Sequence, residues 1–160
     1  MKKLLCVIGT RPEVIKMAPL IHALKEEKDF TVNTLATAQH RELLDQMLNI
    51  FKLTIDVDLN IMQHNQSLLN LTTNLLEKMN DCLNHFKPDM VIGQGDTTSV
   101  FVTGLTCFYH KIPFAHLEAG LRSHNNYSPY PEEMNRILSD NLATIYFAFE
   151  TQVLIPTRLV

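Results

Sequence analysis

Short, unbroken apolar runs recur along this chain, each followed by a stretch of helical spacing, and that alternation constrains the fold more than any other feature. Leu4 to Ile8 (LLCVI) is continuously apolar, as a strand covered on both faces requires. From Pro12 onward Val14, Met17, Ala18, Ile21 and Leu24 recur at helical spacing; Pro12 suits a first turn, and Pro19 is expected to bend the helix. A second strand, Thr31 to Ala36, leads to a helix from Glu42 to Phe51. Leu68, Leu71, Leu75, Leu76, Met79, Leu83 and Phe86 mark a long amphipathic helix that Lys87-Pro88-Asp89 ends. A strand at Met90–Gly93, a buried helix at Val100–Tyr109, a strand at Ile112–Leu117, a helix at Glu132–Leu142 and a strand at Thr144–Phe149 complete the pattern. Repeated β-α-β units predict an α/β fold: a Rossmann-like, doubly wound parallel sheet that binds ligands at the carboxyl ends of its strands. A length of 160 residues fits one domain, with no internal repeat or linker.

Charge narrows the function classes. A formal net charge of -3 argues against nucleic-acid partners, whose surfaces need a clustered basic excess, so any bound anion must be held locally. Cys6, Cys82 and Cys107 are odd in number, widely spaced and set in apolar segments, which predicts reduced core thiols rather than disulfides or a zinc site. The apolar run near the start is too short for a signal-peptide core, and no run approaches the ~18 residues of a membrane span. Together these features predict a cytoplasmic protein with no membrane partner.

Charged and small residues gather where this architecture would place a site. GTRPEVIK (Gly9 to Lys16) follows the first strand, TAQHRELLD (Thr37 to Asp45) the second, GQGDTTS (Gly93 to Ser99) a central one and HLEAGLRS (His116 to Ser123) the next, while SPYPEEMNR (Ser128 to Arg136) opens the last helix. Gly9 permits close backbone approach, and the helix beginning near Pro12 would turn free N–H groups toward an anion, with Arg11 and Lys16 adding cations. The competing reading is a surface loop with one capping glutamate. Neither the P-loop spacing nor the dinucleotide fingerprint occurs.

Asp96 is either a site carboxylate or a helix N-cap. Glu118, flanked by Leu117 and Ala119-Gly120 at a buried strand end, requires a partner such as Arg122 or Arg11 if it is ionised, or carries a raised pKa if its walls are apolar. Glu132 and Glu133 fall in a first helical turn, where acids are favoured by the dipole alone. His40, His116 and His124 lack a shared ligand spacing and are expected to serve as hydrogen-bonding groups; His22, His64, His85 and His110 are expected to face solvent. Three carboxylates and two or three cations at one sheet edge suggest proton transfer on a substrate bearing a diphosphate.

GTRPEVIKMAP, TAQHRELLDQ, LNIMQ, QGDTTS, HLEAGLRS and SPYPEEMNR, in this order and spacing, resemble the non-hydrolysing UDP-N-acetylglucosamine 2-epimerases of bacteria, from the first strand to about Phe147. Hydrolysing relatives lack the intact GTRPE-x-IK pattern. The resemblance implies the N-terminal domain of a two-domain fold of the glycosyltransferase B type, acting on UDP-GlcNAc and UDP-ManNAc without a metal or redox cofactor. It also implies the reaction course: the C2 proton is removed, UDP leaves by anti elimination to give 2-acetamidoglucal, and UDP adds back after reprotonation on the other face. By resemblance Arg11 and Lys16 hold the diphosphate, Asp96, Glu118 and Glu132 are the catalytic carboxylates, and Gly9 and Arg136 belong to the substrate site. Gln39 and His40 match positions tied to a second, regulatory UDP-GlcNAc site in some members. Gln94 departs from the family's usual histidine.

After Tyr146-Phe147 the family continues into a second domain carrying the uridine-binding surface and a catalytic histidine. Residues 1–160 are accordingly expected to form the N-terminal domain alone and to epimerise poorly or not at all, activity needing a complementing chain; a homodimer or a complementing C-terminal domain is the expected partner, and the helix Ser67–Phe86 is the candidate dimer surface. A nucleotide-sugar-binding remnant and an interaction domain are the rival classes.

Overall fold

The computed structural model describes residues 1–37, 41–61, 66–148 and 153–154. Strands and helices alternate as expected, with one additional short strand, β3: β1 (Lys2–Ile8), α1 (Arg11–Glu26), β2 (Phe30–Ala36), α2 (Arg41–Ile50), β3 (Val57–Asp58), α3 (Leu68–Phe86), β4 (Met90–Gln94), α4 (Thr98–His110), β5 (Phe114–Ala119), α5 (Glu132–Leu142) and β6 (Ile145–Ala148). The sheet order is β3-β2-β1-β4-β5-β6, all parallel, with β7 (Val153–Leu154) added antiparallel against β6. This is the Rossmann-like doubly wound arrangement, and the strand order reverses between β1 and β4, where a crevice opens.

Sequence pattern explains most of this. In β1 alternate residues serve opposite faces: Leu5 and Val7 join one core with Leu75, Met79 and Leu83 of α3 and Val102 and Cys107 of α4, while Cys6 and Ile8 join another with Val14, Met17 and Ile21 of α1 and Leu44 of α2. A strand that must satisfy two cores reads as an unbroken apolar run. Cys6 and Cys107 are free and buried, and burial pushes both thiols up to about 12, so they act as small core hydrophobes. Helix α3 starts at a Ser67 cap and ends at Lys87 in the left-handed region, as the Lys-Pro-Asp signal suggested.

The strands β3 and β7, which the sequence pattern did not show, have only two residues each, too short for a period to register. The fourth long strand begins at Phe114 and runs through Glu118 to Ala119, beyond the expected end at Leu117. Helix α1 runs continuously through Pro19, which offers no N–H to the Ile15 carbonyl.

Candidate active site at the carboxyl edge of the sheet

Gly9, at the end of β1, donates its N–H to Glu13 Oε2 at 2.5 Å, and Thr10 N–H reaches the same oxygen at 3.3 Å. A Cβ at position 9 would lie 2.7 Å from Thr37 Oγ1, so the β1–α1 turn closes this tightly only around glycine. Glu13 is thus the reciprocal half of a capping box, and it takes two amides that the sequence suggested would face an anion. Burial raises its carboxyl to about 7 against the opposing effect of the Gly9 and Thr10 amides. Arg11 stays exposed at the first position of α1.

Lys16, on the outer side of α1, projects over the switch point and places Nζ 2.6 Å from Glu118 Oε1 and 2.5 Å from Oε2. Gln94, the last residue of β4, donates its side-chain amide to the same Oε2. The expected partners Arg122 and Arg11 are therefore not those that hold Glu118. Arg122 instead donates to Asp140 at 2.5 Å, because the loop after β5 turns it toward α5. Glu118 has φ of +66°, in the left-handed region, where the β5–β6 register shifts between Leu117 and Ala119. Such a conformation is strained for a residue with a Cβ, and structures retain strain of this kind chiefly at functional sites. Lys16, Gln94, Leu117, Glu118, Phe147 and Ala148 line a cleft of about 260 Å³. A larger hollow of about 400 Å³ beside Leu20, Ile92 and Ala115 is almost wholly apolar; it shares Leu117 and Phe147 with the cleft but is not lined by Lys16, Gln94 or Glu118.

Asp96 lies one residue beyond Gly95, whose φ of +87° turns the chain out of β4. It does not cap α4; Thr97 does, accepting from Val100 N–H at 3.3 Å. The Asp96 carboxylate faces Arg136 of α5, with Nε and a terminal nitrogen at 2.8 and 2.7 Å from Oδ2. Arg136 also reaches Glu133 Oε2 at 3.0 Å, so its guanidinium bridges two carboxylates of the protein.

The paired glutamates of α5 divide sharply. Glu133 is fully buried and accepts from the N–H groups of Ser123 and His124 at 2.9 and 3.1 Å, which tie down the loop after β5. Those amides, Ser123 first, hold its carboxyl below the usual range. Glu132 is half-buried, and the structure does not bring it into the hydrogen-bonded network of Asp96 or Glu118. Gln39 and His40 lie outside the described residues, as does His64.

His116 is fully buried with Nδ1 2.7 Å from Asp140 and Nε2 2.7 Å from the Gly95 carbonyl, the hydrogen-bonding role expected of it. It links β5, α5 and the turn that carries Asp96. Burial alone would raise the Asp140 carboxyl, but the His116 and Arg122 hydrogen bonds outweigh it and hold the group below its ordinary value. His110, expected in solvent, is half-buried and meets Asn80 Oδ1 at 2.9 Å. Sequence reasoning missed the roles of Gln94, Glu133 and Asp140; only the Glu133-x-x-Arg136 spacing carried a local signal, since such pairs share a helix face. Among the described residues no group of His, Cys, Asp and Glu is arranged to hold a metal, and no helix is long and apolar enough to cross a membrane.

A parallel α/β sheet with carboxylates and cations gathered at the carboxyl ends of its strands defines a Rossmann-like protein, with its candidate site at the switch point. Residues 22–154 match the family model for UDP-N-acetylglucosamine 2-epimerase, and the chain belongs to that family. It is 53% identical over 146 residues to the UDP-N-acetylglucosamine 2-epimerase of Neisseria meningitidis, spanning 91% of this chain and 39% of the relative. The crystal structure of the Neisseria meningitidis enzyme bound to UDP-GlcNAc superposes with a TM-score of 0.88 over the same shares. The Methanocaldococcus jannaschii UDP-GlcNAc 2-epimerase in complex with UDP-GlcNAc and UDP is 35% identical, with a TM-score of 0.85 over 91% of this chain and 40% of that one. Acinetobacter baumannii MurG, at 16% identity and a TM-score of 0.60 over 97% of this chain and 45% of its own, shares the fold alone. The chain thus spans about 39% of the length of the curated relatives it matches.

Proposed function

We propose that this chain forms the N-terminal, Rossmann-like domain of a non-hydrolysing UDP-GlcNAc 2-epimerase that interconverts UDP-GlcNAc and UDP-ManNAc for surface-polysaccharide synthesis in the cytoplasm. The observation that carries this reading is the meeting of Lys16 and Glu118 over the switch point, in a chain of this family. Relatives with solved structures bind UDP-GlcNAc and UDP, which supports the same ligands here.

In the proposed reaction a carboxylate removes the C2 proton, the C1–O bond breaks with its electron pair leaving on UDP, and 2-acetamidoglucal forms. UDP then re-adds at C1 as a proton is delivered to C2 from the other face. Asp96, Glu118 and Glu132 are the carboxylates assigned to proton transfer and sugar positioning. Lys16 and Arg11 stabilise the charge that builds on the departing diphosphate, where fixed cations count most. Gly9 is assigned to the substrate site through the tight β1–α1 turn that it closes, Arg136 holds Asp96 and the ligand side of α5, and Gln39 and His40 are assigned to the second UDP-GlcNAc site. No metal or redox cofactor enters the scheme. The uridine end is assigned to a second domain, within the additional length that the relatives carry, and a homodimer is the proposed assembly.

A proton NMR series of UDP-GlcNAc in deuterated buffer tests the reading. Line broadening of the nucleotide sugar by the 160-residue chain, removed by Lys16→Met, is the expected result. Loss of the H2 signal with growth of the manno isomer would show that the chain alone performs the exchange. Unchanged lines at high protein concentration would overturn the assignment.

A further inference from the structure

In this structure Lys16 is committed to Glu118, yet the reading above, on which this inference rests, needs Lys16 at a diphosphate. We propose that Gln94 is a positioning residue that keeps Glu118 aimed into the cleft when Lys16 turns from the carboxylate to a phosphate group.

The geometry separates the two partners of Glu118. The Lys16 side chain is 44% exposed, and an ammonium on a flexible stem exchanges readily between anions. Gln94 is 3% exposed, at the last position of β4, where the register sets it beside Leu117, one residue before Glu118. It cannot follow a ligand. Its amide orientation is fixed by chemistry, since a carboxylate accepts only, and the group facing Glu118 Oε2 must be the NH₂.

That orientation has a cost elsewhere. The Gln94 Oε1 is buried and has no hydrogen-bond partner among the described residues. A buried acceptor left unmade is unfavourable, and rotating the amide would not help, because it would set an oxygen against the carboxylate. Glu118 carries a second cost in its left-handed backbone. Two unfavourable local features converge on one carboxylate placement. An amide donates to the carboxylate at every pH.

Phosphate binding then becomes the trigger. As Lys16 moves to the diphosphate, Glu118 loses its cationic partner, while Gln94 prevents it from following the ammonium or swinging into solvent. The Glu118 carboxylate is released from Lys16 only when the leaving group is already clamped.

The test is side-chain NMR on the 160-residue chain with UDP as probe. Lys16→Met strips the cation without any ligand; the Gln94 amide signal should keep the displaced, slowly exchanging proton of a bond to a carboxylate. Collapse of that signal to the position of a free amide would overturn the proposal. Adding UDP to the wild type should move the Lys16 signals and leave the Glu118 side-chain signals sharp, whereas in Gln94→Leu the same addition should broaden those of Glu118. Equal sharpness in both would mean that Gln94 only fills space. If UDP moves no signal in the wild type, the functional reading fails and the phosphate trigger with it, while the Lys16→Met result still reports on the Gln94 bond by itself.

Discussion

Lys16 and Glu118, 102 positions apart, meet with both carboxylate oxygens 2.6 and 2.5 Å from the Lys16 ammonium, across the carboxyl ends of β1, β4 and β5. The pair is part-exposed, so its contribution to stability is small, and its meaning is chemical rather than structural.

Replacement of Lys16 separates those two roles. Lys16→Met should change unfolding free energy by less than about 1 kcal/mol, the ceiling for an exposed pair. The same change should weaken UDP binding about 10- to 100-fold, the value of a charge-assisted contact to phosphate. Calorimetric titration beside thermal melts checks both, and a large loss of stability with unchanged affinity would contradict this account.

Glu13 predicts an unusual pH dependence. Its carboxyl rises from an ordinary 4.5 to about 7 on folding, chiefly through burial, so the folded chain binds this proton more tightly than the unfolded chain does. Stability is then highest below pH 4.5 as far as this group is concerned, and it falls by roughly 3 kcal/mol as pH rises to 7. Glu13→Gln should flatten that decline in urea melts across the same range. An unaltered slope would show that Glu13 ionises normally.

Gly9 sits where no side chain fits. Gly9→Ala places a methyl 2.7 Å from Thr37 Oγ1, in a turn also bounded by Glu13 and Ser99. A loss of about 1–3 kcal/mol is expected, as for overpacking of a tight site. Combining it with Thr37→Ala should recover part of the loss, and strict additivity in the double-mutant cycle would argue against a direct clash.

Glu133 acts in the opposite sense to Glu13. Its folded value is depressed by the Ser123 amide first, then by Arg136 and the His124 amide, so its contribution is present above the ordinary value of 4.5 and disappears as pH falls through the lower folded value. Glu133→Gln should lower Tm at pH 7, with the difference from wild type shrinking toward pH 3. A difference that stays constant with pH would place the effect in packing rather than charge.

The sequence by itself determined the alternation of strands and helices, the helix stops and the gathering of charged residues behind strand ends, because each depends on the spacing of neighbours within a few turns. Leu4 to Ile8 had to be apolar throughout to serve two cores, and that is visible without coordinates. The tertiary structure alone decided which charges meet. The sheet order sets β1 against β4 and β4 against β5, so Lys16 and Gln94, not Arg122, fall to Glu118, while Arg122 is left to Asp140. Likewise Glu132 and Glu133 are equivalent in a first helical turn until the loop after β5 closes over one and buries it. Partner choice among ionised groups depends on distances of a few ångströms between segments remote in the chain, and local pattern carries no information at that range.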